Sequence, residues 1–345
     1  MNMFKLSVII PVYNVEHYIA STVESLFDQY NADVEYIFVN DCGTDNSWQV
    51  LQKVLEKYPE CRSNVVLVCH EHNQGVESAR ITGLAKARGT YIWFVDSDDI
   101  IALGGIVAVL NALESQPDYL ALNFCNLQPG DLMPEILSPA KTRKMDPDSL
   151  FAEIISHSGK RQGACVNIIK RSLTENKPML KTGLKIAEDY VMHVRWTMNL
   201  SSAVELVPPV YGYIQRSQSA TGAADFSFWC QCLEKAFALL EQEISLEEND
   251  ERKSFLRDTL KNAKINARMT LFCRMMNDYP RENHAEMLKQ YRFASEERNL
   301  FRMISSVKLP MIPVAICDKF HWYGLMMCYT RMARKLLRFL SRRFR

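Results

Sequence analysis

The sequence has no C-x-x-C pair among its ten cysteines, which argues against a cysteine-based metal site. The nearest two, Cys230 and Cys232, flank a single residue, a poor spacing for two ligands of one ion. Several of the others lie inside apolar strand-like or helix-like runs, where cysteine behaves as a small hydrophobic residue. We interpret the cysteines as reduced thiols, which predicts a cytoplasmic protein.

Membrane-directing segments are also missing. The first apolar run, residues 6–12, is too short for a secretory signal and lacks a basic n-region. The most apolar later stretch, residues 303–329, is interrupted by prolines and charged side chains, and no run of 18 apolar residues exists. We therefore expect that no segment crosses a bilayer.

The net charge is close to zero, with 41 Lys plus Arg against 40 Asp plus Glu, but its distribution is uneven. Residues 331–345 contain seven basic side chains and no acidic one, which leaves 34 basic against 40 acidic residues elsewhere. Apolar residues recur in this tail at helical spacing, at Met332, Leu336, Phe339 and Leu340. The pattern predicts a basic amphipathic helix that lies on an anionic membrane surface, at the inner face of the cytoplasmic membrane.

Two other interpretations of this tail were weighed. A solvated C-terminal helix that packs on its own domain has the same pattern. Nucleic acid is not an expected partner, because the rest of the chain is net acidic and contains no nucleic-acid-binding motif.

The composition, with 48% hydrophobic and 23% charged residues, is that of a globular protein. In the first hundred residues, four short runs rich in β-branched and aromatic residues alternate with helical patterns of 10–15 residues. This alternation predicts right-handed βαβ units and a mostly parallel α/β sheet. The predicted strands are residues 6–10, 36–39, 65–69 and 91–95.

Local signals also predict where the helices between these strands begin and end. Asn14 is expected to cap the first helix, and Thr44 or Asp45 the second. The third is expected to run over residues 76–87 and to end at Gly89 as its C′ residue.

Polar residues follow all four predicted strands. Ligands of such sheets bind in the crevice beyond the carboxyl ends of the strands, so these residues are expected to face one crevice. They are Tyr13-Asn14, Asn40-Asp41, His70-Glu71 and Asp96 to Asp98.

The chain is expected to divide near residue 222. Residues 1–222 would form an α/β domain, with a ligand-binding half at 1–115 and a second half at 116–222. Residues 223–345 are predicted to be helical and to end in the basic amphipathic helix. Acceptor binding, dimerisation and membrane docking remain open as roles of this helical region.

The D-x-D sequence of Asp96 and Asp98, directly after a buried strand, is the sharpest chemical feature. Two carboxylates at this spacing can reach one divalent cation, and hard oxygen ligands suit Mg²⁺ or Mn²⁺. Such an ion, shared with a diphosphate, would neutralise a leaving group that develops negative charge. On its own the pattern is weak, because acidic residues at strand ends are common as helix caps.

Further motifs occur in a fixed order with this one. Together they resemble the inverting glycosyltransferase family 2, which has the GT-A fold. The resemblance is close over about residues 5–105, looser to about 222, and does not cover the helical C-terminal third. The motifs are S-V-I-I-P-V-Y-N at 7–14, V-N-D-C-G-T-D at 39–45, N-Q-G-V-E-S-A-R at 73–80, D-S-D-D at 96–99 and A-E-D at 187–189.

The resemblance implies a role for each matching residue. The nucleotide pocket would be lined by Pro11, Val12 and Tyr13, and Asp41 would accept a hydrogen bond from the base of a UDP-type donor. Asp96 would lie near the ribose and the metal, and Asp98 would be the direct metal ligand. The remaining implied residues are Asp189, as the general base for the acceptor hydroxyl, and Arg216, in the Y-I-Q-R-S-Q-S-A-T segment at 213–221, as a clamp on the diphosphate.

The implied activity is metal-dependent inverting transfer of a sugar from a nucleoside-diphosphate donor to a hydroxyl of a glycan or lipid-linked glycan. Inversion needs one base on the acceptor side and a stabilised leaving group on the other, which fits one carboxylate and one ion. The sequence departs from the family pattern at Asn40, Cys42-Gly43, Ile81 and Met192. None of these positions is a predicted site residue, so the departures bear on donor choice.

Structural roles would also account for several of these residues. Asp41 or Asp45 could cap the helix that begins near Asn46, Glu188-Asp189 could simply initiate a helix over 190–199, and Arg216 could be a solvated loop charge. The isolated histidines are interpreted as structural; they are His70, His72 and His193.

Three other functional classes were weighed. The sequence V-D-S-D-D-I also resembles the first motif of haloacid-dehalogenase-type phosphatases, but Ile100 occupies the Thr/Val position and a long βαβ region precedes it. A dinucleotide oxidoreductase would need G-x-G-x-x-G after the first strand, which is absent. A non-catalytic nucleotide-sugar-binding partner of an active transferase would not need both D-x-D and E-D.

Overall fold

In a computed structural model of the chain, the structure is described for residues 4–156, 163–215 and 226–278. These residues form two compact units. The first contains residues 4–151 and 163–215, and the second contains residues 152–156 and 226–278. The predicted domain boundary at residue 222 lies outside the described residues and stays a prediction.

The first unit is built on a sheet whose first four strands are parallel. In β1, β2 and β4 almost every residue is buried, as expected for parallel strands that are covered on both faces. The strands pair in the order β3-β2-β1-β4, so that their carboxyl ends share one edge. They are β1 (Leu6–Val12), β2 (Val34–Asn40), β3 (Val65–Cys69) and β4 (Tyr91–Phe94), which confirms the predicted parallel α/β sheet.

Strand β1 is longer than predicted, because it continues through Pro11 to Val12. Strand β4 pairs with β1 in register only as far as Ile9, whereas β2 stays paired along the whole of β1. Beyond Ile9, β1 therefore has a neighbour on one side only, where a residue without an N–H group is tolerated. Tyr13 is consequently the first residue beyond the strand.

Three helices connect these strands: α1 (Ile19–Phe27), α2 (Ser47–Leu55) and α3 (Val76–Lys86). Helix α1 buries Ile19, Val23, Leu26 and Phe27, whereas Tyr18, which lies just before the helix, is only half-buried. Helix α3 ends one residue before the predicted end.

The prediction that Asn14 caps α1 is wrong. Asn14 lies in a left-handed conformation with φ of 51°, and its Oδ1 accepts the N–H of Thr44 at 2.8 Å. It therefore ties the end of β1 to the loop after β2. The N-cap of α2 is Asn46 rather than Thr44 or Asp45, although Asp45 Oδ1, just before it, accepts the N–H of Ser47 at 3.0 Å.

Gly89 does not end α3 as predicted. The helix stops at Lys86, and Ala87 is extended, with φ of −67° and ψ of 134°. The N–H of Gly89 donates to Ser7 Oγ at 2.8 Å and to Glu35 Oε1 at 3.1 Å. A Cβ atom at Gly89 would lie 2.6 Å from the backbone nitrogen of Ser7, so glycine is required by close backbone packing.

The remaining strands make the sheet mixed. Strands β6 and β9 pair in parallel, whereas the pairs β4-β8, β6-β8, β5-β9 and β7-β9 are antiparallel. These strands are β5 (Ile100–Ile101), β6 (Tyr119–Leu127), β7 (Thr142–Met145), β8 (Asn167–Lys170) and β9 (Ala203–Ile214). The helices between them are α4 (Gly105–Ala112), α5 (Pro147–Ile155), α6 (Arg171–Asn176) and α7 (Glu188–Thr197).

The second unit contains an antiparallel pair of helices, α8 (Phe226–Ser245) and α9 (Asp250–Asp278). Lys264 of α9 contacts both Glu241 and the ring of Phe237 on α8, while Leu240 and Leu260 are buried. In the described part of the chain, no helix combines the length and the apolar character needed to span a membrane. The predicted amphipathic helix at 331–345 lies outside the described residues.

Replacing Gly89 by alanine should lower the free energy of unfolding by about 3 kcal/mol, because the new methyl group meets backbone atoms that cannot move aside. Chemical denaturation of the purified chain measures this loss.

Gly130→Ala is the matched control. Unlike Gly89, Gly130 has a positive φ, of 92°, but a Cβ atom there meets nothing within 4 Å. It should therefore lose only about 1 kcal/mol from backbone strain. Equal losses in the two variants would contradict the packing explanation.

Candidate functional site

Asp41 lies directly beyond β2 and is 2% exposed. Its carboxylate accepts hydrogen bonds from three donors: His70 Nδ1 at 2.8 Å, the N–H of Gln74 at 2.9 Å and the N–H of Gly75 at 2.8 Å. Gly75 is the residue before α3. Asp41 therefore fixes the loop that enters α3, rather than capping α2 as the structural alternative proposed.

The other residues predicted for the nucleotide pocket lie beside Asp41. The N–H of Asp41 donates to the carbonyl of Val12 at 3.0 Å. Pro11 and Val12 are buried in β1, and Tyr13 is 43% exposed at its carboxyl end. Val12 and Asp41 are thus in direct contact and Tyr13 faces solvent, while the role of these residues in a nucleotide pocket stays a prediction.

The D-S-D-D loop lies at the same edge, after β4. Asp96 and Asp98 are partly exposed, whereas Asp99 is 1% exposed. The Tyr211 hydroxyl donates to Asp99 Oδ2 at 2.7 Å and accepts the N–H of Asp96 at 3.1 Å. Asp99 Oδ1 also accepts the N–H of Ile214 at 2.8 Å, so β9 holds this loop in place.

The loop concentrates negative charge. Burial, reinforced by the charges of Asp96 and Asp98, raises the pKa of Asp99 to about 8. A cation bound at the exposed side of the loop would relieve this repulsion.

Among the residues that the structure describes, one group of metal-ligating side chains has all its ligand atoms within 4.8 Å of one another: Asp96, Asp99 and Cys165. Burial raises the pKa of the Cys165 thiol well above its ordinary value, which keeps it protonated, and both Asp99 oxygens already accept hydrogen bonds. A hard cation fits Asp96 and Asp98 better, because their carboxylates keep access to solvent.

Arg80 connects this loop to the E-D pair. It lies on α3 and is 5% exposed. One guanidinium nitrogen lies 3.2 Å from Asp96 Oδ1 and the other 3.0 Å from Glu188 Oε1. The predicted metal-binding motif and the predicted base motif are therefore held by the two ends of one guanidinium group.

The environment of Arg80 is strongly electrostatic. Burial alone would lower the pKa of Arg80, but the carboxylates of Asp96 and Glu188 more than offset this and raise it. The guanidinium carbon also lies 5.9 Å from the centroid of the Phe94 ring. Arg80 is consequently a permanent positive charge in a nearly dry position.

Asp189 lies in the first turn of α7, next to Glu188, and is partly exposed. Low solvent access, with the charge of Glu188, raises the pKa of Asp189 to about 7. A carboxyl group with such a pKa is suited to accept a proton near neutral pH. Helix α7 begins at Glu188 rather than at Tyr190, so the pair also initiates the helix, as the structural alternative proposed.

Three residues remain from the sequence analysis: Arg216, which was predicted to bind the diphosphate, and His70 and His193, which were interpreted as structural. Arg216 lies outside the described residues. His70 has a structural role: its Nδ1 is hydrogen-bonded to Asp41, and its Nε2 lies 2.9 Å from the Thr82 hydroxyl. Burial, with the charge of Arg80, lowers the pKa of His193 to about 3, so that this side chain is neutral.

Sequence reasoning used Arg80 as a family marker but gave it no role. Its partners lie 16 and 108 residues away along the chain, and no local pattern pairs them. No local signal marks Arg80 as buried, because α3 mixes polar and apolar residues and an arginine on such a helix can equally face solvent. Tyr211 was missed for a similar reason, because it lies 112 residues from Asp99.

Comparison with known sequences gives a family match for part of the chain. Residues 7–131 match the sequence profile described as Glycosyl transferase family 2. This segment is therefore a family 2 glycosyltransferase domain. Its fold is the GT-A fold.

A curated relative, the poly(ribitol-phosphate) beta-glucosyltransferase of Bacillus spizizenii, is 32% identical over 198 residues, which cover 56% of this chain and 29% of that protein. In other curated relatives, too, the match covers about half of the relative's length or less.

Two solved structures resemble the whole chain. S. aureus TarS 1-349 in complex with UDP-GlcNAc aligns with a TM-score of 0.68 at 19% identity, over 96% of this chain and 92% of that chain. A mannosyltransferase from Pyrobaculum calidifontis, in complex with GDP-Man and Mn²⁺, aligns with a TM-score of 0.54 at 16% identity, over 96% and 86%. At these identities the likeness is evidence of the fold.

Arg80→Lys should destabilise the chain by about 3 kcal/mol, because an ammonium group cannot reach both carboxylates, and loss of the contact with Glu188 leaves that carboxylate buried without its partner. Chemical denaturation monitored by circular dichroism measures the change.

Arg88→Lys is the matched control. Arg88 also binds a buried glutamate, Glu35, with two nitrogens, but its side chain is 57% exposed and water can replace a lost contact. Its loss should be about 1 kcal/mol or less. A loss at Arg80 no larger than that at Arg88 would contradict the bridging role.

Proposed function

We propose that the protein is a metal-dependent inverting glycosyltransferase that moves a sugar from a nucleoside-diphosphate donor, a UDP-sugar, to a hydroxyl group of a surface polysaccharide. One observation carries the proposal. The buried guanidinium of Arg80 joins Asp96, in the motif suited to a diphosphate and its metal, to Glu188, the neighbour of a carboxylate with a pKa near neutrality.

The side chains then have distinct tasks in one displacement. Asp189 accepts the proton of the acceptor hydroxyl, and the acceptor oxygen forms a bond to the anomeric carbon of the sugar. The bond from that carbon to the diphosphate oxygen breaks, and the nucleoside diphosphate leaves with the electron pair. Attack on the face opposite the leaving group inverts the configuration.

Asp96 and Asp98 would hold the divalent cation, Mn²⁺ or Mg²⁺. The ion would supply positive charge to the leaving diphosphate, which then needs no protonation. Arg216 is proposed to add a second positive charge to the same group. On the donor side, Pro11, Val12, Tyr13 and Asp41 would form the nucleotide pocket.

The nature of the donor and acceptor is supported by the relatives. The structurally similar TarS fragment is in complex with UDP-GlcNAc, which supports a UDP-sugar as donor. The relative named as a poly(ribitol-phosphate) beta-glucosyltransferase supports a glycan or lipid-linked glycan of the cell surface as acceptor. We propose that the enzyme works at the inner face of the cytoplasmic membrane, attached through residues 331–345.

Asp98→Ala should abolish metal-dependent turnover. The test uses a panel of UDP-, GDP- and dTDP-sugars with Mn²⁺ or with EDTA, and measures slow hydrolysis in place of transfer. Wild type should hydrolyse one UDP-sugar with Mn²⁺, and the variant should be at least about 100-fold slower, because a metal ion at a leaving group contributes several kcal/mol.

Asp33→Ala is the control, because Asp33 is an exposed carboxylate directly before β2, at the opposite edge of the sheet. Its turnover should equal that of wild type. If no sugar nucleotide binds to wild type, with or without metal, the transferase proposal is wrong.

The rate of turnover should rise with pH through about 7, because Asp189 must be deprotonated to accept a proton and its pKa is raised to about 7. Below that value kcat should fall by about tenfold for each pH unit. A kcat profile between pH 5 and 9 measures this.

Asp189→Asn should remove this pH dependence together with most of kcat, while the affinity for UDP, which the base does not touch, stays within about twofold of wild type. A variant that keeps the wild-type profile would show that another group is the base.

A further inference from the structure

The position of Asp189 depends on the loop that leads into α7. Helix α7 holds the first part of this loop, since Arg195 donates to the carbonyl of Pro178 and Trp196 donates to that of Lys177, each at 2.7 Å. Further along, Ala187 has a left-handed conformation with φ of 68°, which is unfavourable for a residue with a side chain. The surrounding contacts must therefore hold this part of the chain in place.

Those contacts come from Glu77, in the first turn of α3. Its Oε1 accepts the N–H and the hydroxyl of Thr182, both at 2.7 Å, and its Oε2 accepts the N–H of Gly183 at 3.1 Å. Glu77 is 6% exposed, so water does not replace these bonds when they are lost. Thr182 also accepts the N–H of Leu184 at 3.0 Å, which extends the same network along the loop.

Glu77 and Arg80 lie three residues apart on α3 and thus on neighbouring positions of one face. Arg80 binds Glu188, at the start of α7, and Glu77 binds the loop five residues earlier. Helix α3 consequently holds the approach to Asp189 at two points.

We propose that Glu77 is a positioning residue for the general base: by binding Thr182 and Gly183, its carboxylate sets the place of Asp189 relative to the D-x-D loop. This inference rests on the proposed function, because it assumes that Asp189 is the base. Misplacement of a catalytic group by about 1 Å reduces turnover by about 100-fold, so loss of these contacts should reduce kcat rather than donor binding.

The chemistry of the contacts requires a carboxylate. All three partners of Glu77 donate, and a carboxylate offers only acceptors. A glutamine has the same shape, but in either orientation its NH₂ group would face a backbone N–H, that of Thr182 or that of Gly183. Glu77→Gln therefore loses at least one of these hydrogen bonds without leaving a cavity.

The experiment compares Glu77→Gln with Thr182→Val and Thr182→Ser. Affinity for UDP with Mn²⁺ is measured by calorimetry, kcat by hydrolysis of the UDP-sugar that wild type accepts, and protection of residues 177–187 by hydrogen exchange. Glu77→Gln should lower kcat by about 10- to 100-fold, keep the affinity for UDP within about twofold and speed exchange in the loop. Thr182→Val should do the same more weakly, and Thr182→Ser, which keeps the hydroxyl, should be close to wild type.

Glu35→Gln is the matched control, since Glu35 is a second buried carboxylate that accepts several hydrogen bonds, from Ser7, Arg88 and Gly89. It should lower stability without changing kcat at a temperature where the chain is folded, or exchange in the loop.

Two outcomes would overturn the inference: wild-type exchange in the loop of Glu77→Gln, or wild-type kcat in that variant while wild type is active. A wild-type chain that neither binds UDP nor hydrolyses any sugar nucleotide would instead overturn the proposed function. The exchange measurement needs no activity and still decides whether Glu77 holds the loop.

Discussion

The site depends on one buried cation. Arg80 is removed from water and lies 3.2 Å from one carboxylate and 3.0 Å from another, and each charge makes the burial of the others tolerable. Because a guanidinium group is planar and rigid, it also fixes the separation of the two carboxylates that it binds. The D-x-D loop after β4 and the E-D pair at the start of α7 are thereby held at one distance by a residue that belongs to neither.

The same region contains most of the unfavourable local features of the first unit. Burial raises the pKa of both Asp99 and Asp189, so each carboxylate is less stable ionised here than in water. Four described residues other than glycine have positive φ, and three of them, Asn14, Cys42 and Ala187, lie in loops at this edge of the sheet. Strain of this kind persists only where surrounding contacts impose it, and its concentration here agrees with a functional role.

The sequence predicted what depends on neighbours along the chain. Strand β3 was placed at its observed residues, and Asp41, Asp96 and Asp189 were selected because short motifs carry them. Predictions about which residues contact one another across the fold failed more often. Asn14 and Gly89 were predicted at helix ends, whereas Asn14 binds the loop after β2 and Gly89 packs against β1 and β2. The mixed second half of the sheet was not resolved, because pairing between distant strands leaves no period in the sequence.

The segment at 73–80 shows most clearly which features the sequence could not predict. It matches a family motif, and three of its residues make long-range contacts that hold loops in place. Those contacts can be seen only in the structure. Gly75 binds Asp41 after β2, Glu77 binds the loop before α7, and Arg80 binds both acidic motifs. Helix α3, only 11 residues long, is therefore attached to the loop after β2, to the loop after β4 and to the start of α7. Because these three parts of the fold lie far apart in the sequence, their common attachment to one short helix could not be predicted from any local pattern.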